Sequence, residues 1–147
     1  MKKVTIIAAA FVLFTGTLFA AGPDSVSPEA KAAFSKEFGK AENVSWKLNG
    51  GMYFVQFTLN EKKVTASYNS KGELTGTSRM LSKSELPLIV SRELAKQYAE
   101  YELSPSFNEI TFDGETSYYF TASNKKFDLN VKSDNEGNFT IESRTKK

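Results

Sequence analysis

Alternation of apolar and polar positions with a period of two runs through most of the chain. It is clearest from Met52 to Leu59, where Tyr53, Val55, Phe57 and Leu59 point one way and Met52, Phe54, Gln56 and Thr58 the other, the signature of a half-buried strand. The same rhythm predicts a strand from Asn43 to Leu48, with Val44, Trp46 and Leu48 on one face, and another from Lys63 to Asn69, with Val64, Ala66 and Tyr68 inward. A fourth is predicted from Glu73 to Met80. Asn49-Gly50-Gly51, Asn60-Glu61-Lys62 and Ser70-Lys71-Gly72 supply the turns between them. The period-two pattern returns from Phe107 to Asp113 and from Thr116 to Ser123, where Tyr118, Phe120 and Ala122 are inward. It continues from Lys126 to Lys132 with Phe127, Leu129 and Val131 inward, and from Asn138 to Arg144 with Phe139 and Ile141 inward.

Two stretches change period. Ser27-Pro28-Glu29 has the cap, the first-turn proline and the first-turn acid of a helix start, and Ala30, Ala33, Phe34 and Phe38 form one helical stripe that Gly39 ends. Ser82 and Glu85 have capping-box spacing, although Ser84 could equally be the cap, and Pro87 is tolerated because it falls in the first turn. Leu86, Val90, Leu94, Tyr98 and Tyr101 form the expected buried stripe; Arg92, Glu93, Lys96 and Glu100 face solvent, with Lys96 placed to pair with Glu100. Ser104-Pro105 ends this second helix.

The order is repeated, and so are the residues. Lys71-Gly72-Glu73-Leu74-Thr75-Gly76-Thr77-Ser78-Arg79 is echoed by Glu136-Gly137-Asn138-Phe139-Thr140-Ile141-Glu142-Ser143-Arg144, and Asn60 to Val64 by Ser123 to Phe127. The expected fold is therefore α+β, a tandem repeat of helix plus antiparallel sheet (αββββ-αββββ), with helices on one sheet face and the other face polar and open. The repeats are expected at about residues 27–80 and 82–146 of a single domain spanning 22–147.

Residues 1–21 read as a signal peptide: Lys2 and Lys3 form a basic start, Val4 to Phe19 is mainly apolar, and Ala20, Ala21 and Gly22 are small. The apolar run is too short for a bilayer span, so export to the periplasm or cell exterior is expected, without stable membrane insertion after cleavage. Lys2 and Lys3 account for the whole excess of 19 basic over 17 acidic residues, so the rest of the chain is formally neutral and offers no electrostatic footprint for nucleic acid. The sequence has no His and no Cys. That removes the commonest general base and metal ligand, thiol nucleophiles and disulfides; of the 12 Phe, three (Phe11, Phe14 and Phe19) fall in the leader, and the others, with 6 Tyr and one Trp, remain to build the core.

Several stretches resemble the PepSY-like family of exported bacterial proteins, whose structures are similar to the β-lactamase-inhibitor-protein fold. They are Phe34-Ser35-Lys36-Glu37-Phe38 leading to Asn43-Val44-Ser45-Trp46, Tyr53 to Phe57, Ala66 to Leu74, the Leu86-Pro87 helix start and the Tyr98-Ala99-Glu100-Tyr101 helix end. The resemblance covers essentially the whole chain beyond the leader. It implies two helix-plus-sheet repeats, an exported location and a role in binding or inhibiting other proteins. It brings no catalytic residues.

The outward strand positions are the site-like constellation. Phe54, Gln56 and Arg79 in the first half, with Tyr119, Thr121 and Arg144 in the second, are the candidate binding residues, since aromatic and arginine side chains offer large contact area. The alternative is an ordinary solvated strand face. Pairs such as Glu109 with Asp113, or Asp134 with Glu136, sit in turns or at strand edges, where acids serve turn geometry rather than acid/base catalysis. There is no G-x-S-x-G elbow and no Gly-rich phosphate loop. The expectation is a non-enzymatic protein without cofactor or metal site. It would bind a protein or peptide partner through the open sheet face; the alternative is an envelope structural or stress protein that binds a small ligand or ion weakly.

Overall fold

The computed structural model describes residues 25–147, so the signal peptide expected over residues 1–21 lies outside the described part. The described chain is mostly strand, with two helices of ten residues: α1 (Pro28–Glu37) and α2 (Leu88–Gln97). The strands are β1 (Glu42–Asn49), β2 (Met52–Leu59), β3 (Lys62–Tyr68), β4 (Leu74–Leu81), β5 (Glu102–Leu103), β6 (Phe107–Phe112), β7 (Glu115–Ser123), β8 (Phe127–Asp134) and β9 (Phe139–Lys146).

The expected tandem repeat of helix plus antiparallel sheet (αββββ-αββββ), with helices on one sheet face and the other face open, is overturned. The strands form one nine-stranded sheet in the order β1-β2-β3-β4-β6-β7-β8-β9, with the short β5 paired to β7. Tight turns specify only strands that follow one another. The order of strands separated by a helix is a long-range choice no turn residue announces.

By compactness the chain divides into two units. One runs to Arg79 and takes in Phe112–Gly114; the other comprises Met80–Thr111 and Glu115–Lys147.

In the first unit, Ser27 caps α1, its Oγ accepting from Ala30 N–H at 3.1 Å, with Pro28 at the first helical position. Ala30 and Phe34 share a buried cluster with Val55, Phe57, Ala66 and Tyr68. Phe34 meets Trp46 and Phe57 edge-on, at 5.4 and 5.1 Å between ring centres. The buried Tyr68 phenol finds its partner at the end of α1, donating to Glu37 Oε2 at 2.7 Å. Asn69 Oδ1 accepts from the N–H groups of Lys71 and Glu73, both at 3.0 Å, and braces the turn before β4. That turn lies against α1: a Cβ built on Gly72 (φ 78°) would stand 2.6 Å from Glu29 O.

In the second unit, Leu86, Val90, Leu94 and Tyr98 share a cluster with Phe107, Tyr118, Phe120, Leu129 and Val131. The helix begins later than its capping-box spacing suggests. Lys83–Glu85 is a separate 3-10 turn, closed by Ser82 N–H donating to Glu85 Oε2 at 2.9 Å. Leu86 then turns extended (φ −66°, ψ 147°), as residues before proline must, and α2 starts at Leu88. Lys96 pairs with Glu93 at 2.9 Å rather than with Glu100. The turn before β9 uses Asp134 as the other unit uses Asn69: its Oδ1 accepts from Glu136 and Asn138 N–H at 2.8 and 3.0 Å.

Candidate binding face

Residues paired across strands stand on the same side of a sheet, so register assigns each candidate to a face. In the first unit, Val64, Ala66 and Tyr68 stand on the side that clusters with α1. Phe54, Ser67 and Gly76 form a row on the other side, as do Gln56, Thr65 and Ser78. This second side is not open. Phe54 is only 2% exposed, and Thr65, Ser67 and Ser78 are buried with it. Ser67 Oγ lies 2.8 Å from Thr75 Oγ1, and Thr75 Oγ1 donates to Ser67 O at 3.1 Å. Of the expected pair, Gln56 is half-buried and Phe54 is inaccessible to a partner.

Arg79 is on the wrong side for the expected site. The β3–β4 register shifts between Ser67 and Tyr68, leaving Thr75 as an extra residue. A bulge of this kind reverses the alternation beyond it. Gly76 and Ser78 therefore stand with Ser67 and Thr65, while Thr77 pairs with Ala66 and Arg79 with Val64.

The same reversal occurs at Arg144. The β8–β9 register shifts between Asn130 and Val131, with Glu142 as the extra residue. Thr140 stands opposite Lys132 and Ser143 opposite Asn130, but Arg144 pairs with Leu129 on the clustered side. Its guanidinium carbon lies 3.3 Å from the centre of the Phe127 ring.

Tyr119 and Thr121 are where the alternation places them, on the side away from the α2 cluster. Two cross-strand rows result: Tyr119–Lys132–Thr140 and Thr121–Asn130–Ser143. Thr121 Oγ1 lies 3.3 Å from Asn130 Oδ1, and Asn130 Nδ2 donates to Ser143 Oγ at 2.8 Å, so the second row is a ladder of polar side chains. Lys132 Nζ stands 5.9 Å from the centre of the half-buried Tyr119 ring. Burial chiefly, then the negative charge of Glu142, push the Tyr119 phenol above its ordinary range against a hydrogen bond from Ser117. It is a neutral donor and acceptor at physiological pH. Lys132 was legible as the next outward position after Asn130. Ser143 was not, because nothing in the sequence marks Glu142 as a bulge.

This arrangement offers contact area and polar anchoring. Asp134 is committed to the turn before β9. Burial raises its carboxyl, but hydrogen bonds from the Asn138 side chain and from the backbone N–H groups of Asn138, Glu136 and Gly137 outweigh that and lower it. Among the described residues, no group of three or more His, Cys, Asp or Glu could hold a metal ion. No described helix is long and apolar enough to cross a membrane.

No family profile matches the chain, and no curated protein does. Solved structures do. A BLIP-like protein from Bacteroides fragilis superposes with a TM-score of 0.68 at 15% identity, covering 90% of this chain and 89% of its own. This chain has a BLIP-like fold. A DUF2874 family protein from Bacteroides ovatus gives 0.69 at 16% identity over 83% of this chain and 88% of its own. A candidate periplasmic protein from Bacteroides eggerthii gives 0.68 at 11% identity over 82% and 88%. At such identities the likeness concerns the BLIP-like fold alone. The PepSY-like resemblance is not matched by any family profile.

Proposed function

We propose that the chain is a non-catalytic exported protein that binds a protein or peptide partner through the β7–β8–β9 face centred on Tyr119. The observation that carries this reading is the pair of adjacent rows, one led by a half-exposed aromatic and the other a hydrogen-bonded Thr121–Asn130–Ser143 ladder. A tyrosine ring gives large contact area at low entropic cost, and the ladder presents donors and acceptors already held in place. The BLIP-like fold and the candidate periplasmic neighbour support an exported binding role.

The test is affinity capture from bacterial envelope extract with wild-type protein and with a Tyr119→Ser, Asn130→Lys variant. Both substitutions fall at accessible positions, so the variant's melting temperature should stay within about 3 °C of wild type while specific capture is lost. Capture of the same proteins by both would refute this face as the binding surface.

A further inference from the structure

The bulge at Glu142 has a consequence at the sheet edge. Among the described residues β9 pairs with β8 alone and ends the strand order, so the backbone N–H and C=O groups of its outer edge lack a strand partner there. Such an edge is a template for one more strand. What would match it follows from the side chains. Phe139 and Ile141 stand on the clustered side of β9, paired with Ser133 and Val131. Beyond the bulge, Arg144 and Lys146 join them there, paired with Leu129 and Phe127. In unbroken alternation Arg144 would face the opposite way. The bulge thus places an apolar position, Ile141 at 53% exposure, in one row with two cations.

The basic character continues past the strand. Lys147 N–H donates to Lys126 O at 3.0 Å, and an open groove of about 690 Å³ there is lined by Lys125, Lys126 and Lys147, together with Glu100 and Glu102. Lys147 is partly engaged, with Asp128 at 3.2 Å.

We infer that the free edge of β9 accepts an extended peptide by strand addition, with an apolar residue opposite Ile141 and acidic residues opposite Arg144 and Lys146. Backbone pairing supplies the attachment, and the two cations set register and direction. Charged residues and a bulge on an edge strand also discourage unselective pairing. Here both cations stand on one side and toward one end, which selects for an acidic partner. This surface is distinct from the Tyr119 face and stands or falls independently of it.

A labelled peptide of alternating valine and threonine with two glutamates toward one end, followed by fluorescence anisotropy at low salt, tests the inference. Binding should exceed that of a scrambled peptide of the same composition, and the β9 amides should gain protection in hydrogen exchange. Arg144→Glu with Lys146→Glu should weaken binding about tenfold, and a peptide carrying lysines in place of the glutamates should recover it on that variant. Lys36→Glu with Lys40→Glu, an equal change of charge at exposed positions in the other unit, should leave binding unchanged. Equal affinity for the scrambled peptide, no gain of protection in β9, or equal weakening by both charge-reversed proteins would overturn the inference. So would sedimentation showing the edge already occupied by a second copy of the chain.

Discussion

Replacing Gly72 by alanine isolates the contact that holds the β3–β4 turn against α1. Two costs apply. The residue sits at φ 78°, where an L side chain costs about 1–2 kcal/mol. The new Cβ would also lie 2.6 Å from Glu29 O and 2.7 Å from Glu29 C, which are helix backbone atoms and cannot swing aside. Forcing the first turn of α1 away adds an overpacking cost of about 1–3 kcal/mol. Gly51 provides the control: its φ is also 78°, but a Cβ there meets nothing within 4 Å. Alanine at either site lowers the entropy of the unfolded chain alike, so that term cancels in the comparison. Gly51→Ala should therefore cost about 1 kcal/mol and Gly72→Ala about 2–4 kcal/mol, roughly 4 °C of melting temperature per kcal/mol. Gly137→Ala should fall between them, because its Cβ would meet the flexible Glu93 side chain at 3.0 Å and Ile89 O only at 3.3 Å. Scanning calorimetry of the three variants reads this order directly. If Gly72→Ala melted with Gly51→Ala, the turn could not be resting on the helix as described.

Phe54→Ser should destabilise by about 3–4 kcal/mol in urea unfolding, since the ring is 2% exposed, whereas Tyr119→Ser should cost far less; equal costs would contradict the assignment of one as buried and the other as accessible. Tyr68→Phe should cost about 1–2 kcal/mol by removing the donor to Glu37. Burial first, then Glu37, raise the Tyr68 phenol, so its contribution is complete below the unfolded-state value of about 10 and is lost as pH rises above it. The wild type should accordingly lose stability above pH 10 more steeply than Tyr68→Phe, as read by urea midpoints across alkaline pH. Asp134→Ala should lower the melting temperature by releasing the turn before β9. Because the Asp134 carboxyl is held below its ordinary 3.8, the difference between wild type and variant should be full above that pH and shrink below it. A difference independent of pH would show that the turn does not depend on the carboxylate.

Local chemistry made much of the chain legible in advance. The Ser27 cap, the Met52–Leu59 alternation, the turns at Asn49–Gly51 and Asn60–Lys62, and the inward residues of β3, β7 and β8 follow from interactions among residues close in sequence. Tyr119 and Thr121 were correctly faced for the same reason, because β7 pairs with β8 in unbroken register. The sequence by itself also ruled out thiol and imidazole chemistry, since it contains neither residue. Tertiary structure decided what depends on partners far along the chain. It set the strands in one sheet order, delayed α2 until after Pro87, and buried Phe54 against its predicted exposure. It also turned Arg79 and Arg144 to the clustered side. A bulge is a mismatch of one residue between two strands, so neither strand carries its signature alone, yet it reverses every side chain beyond it.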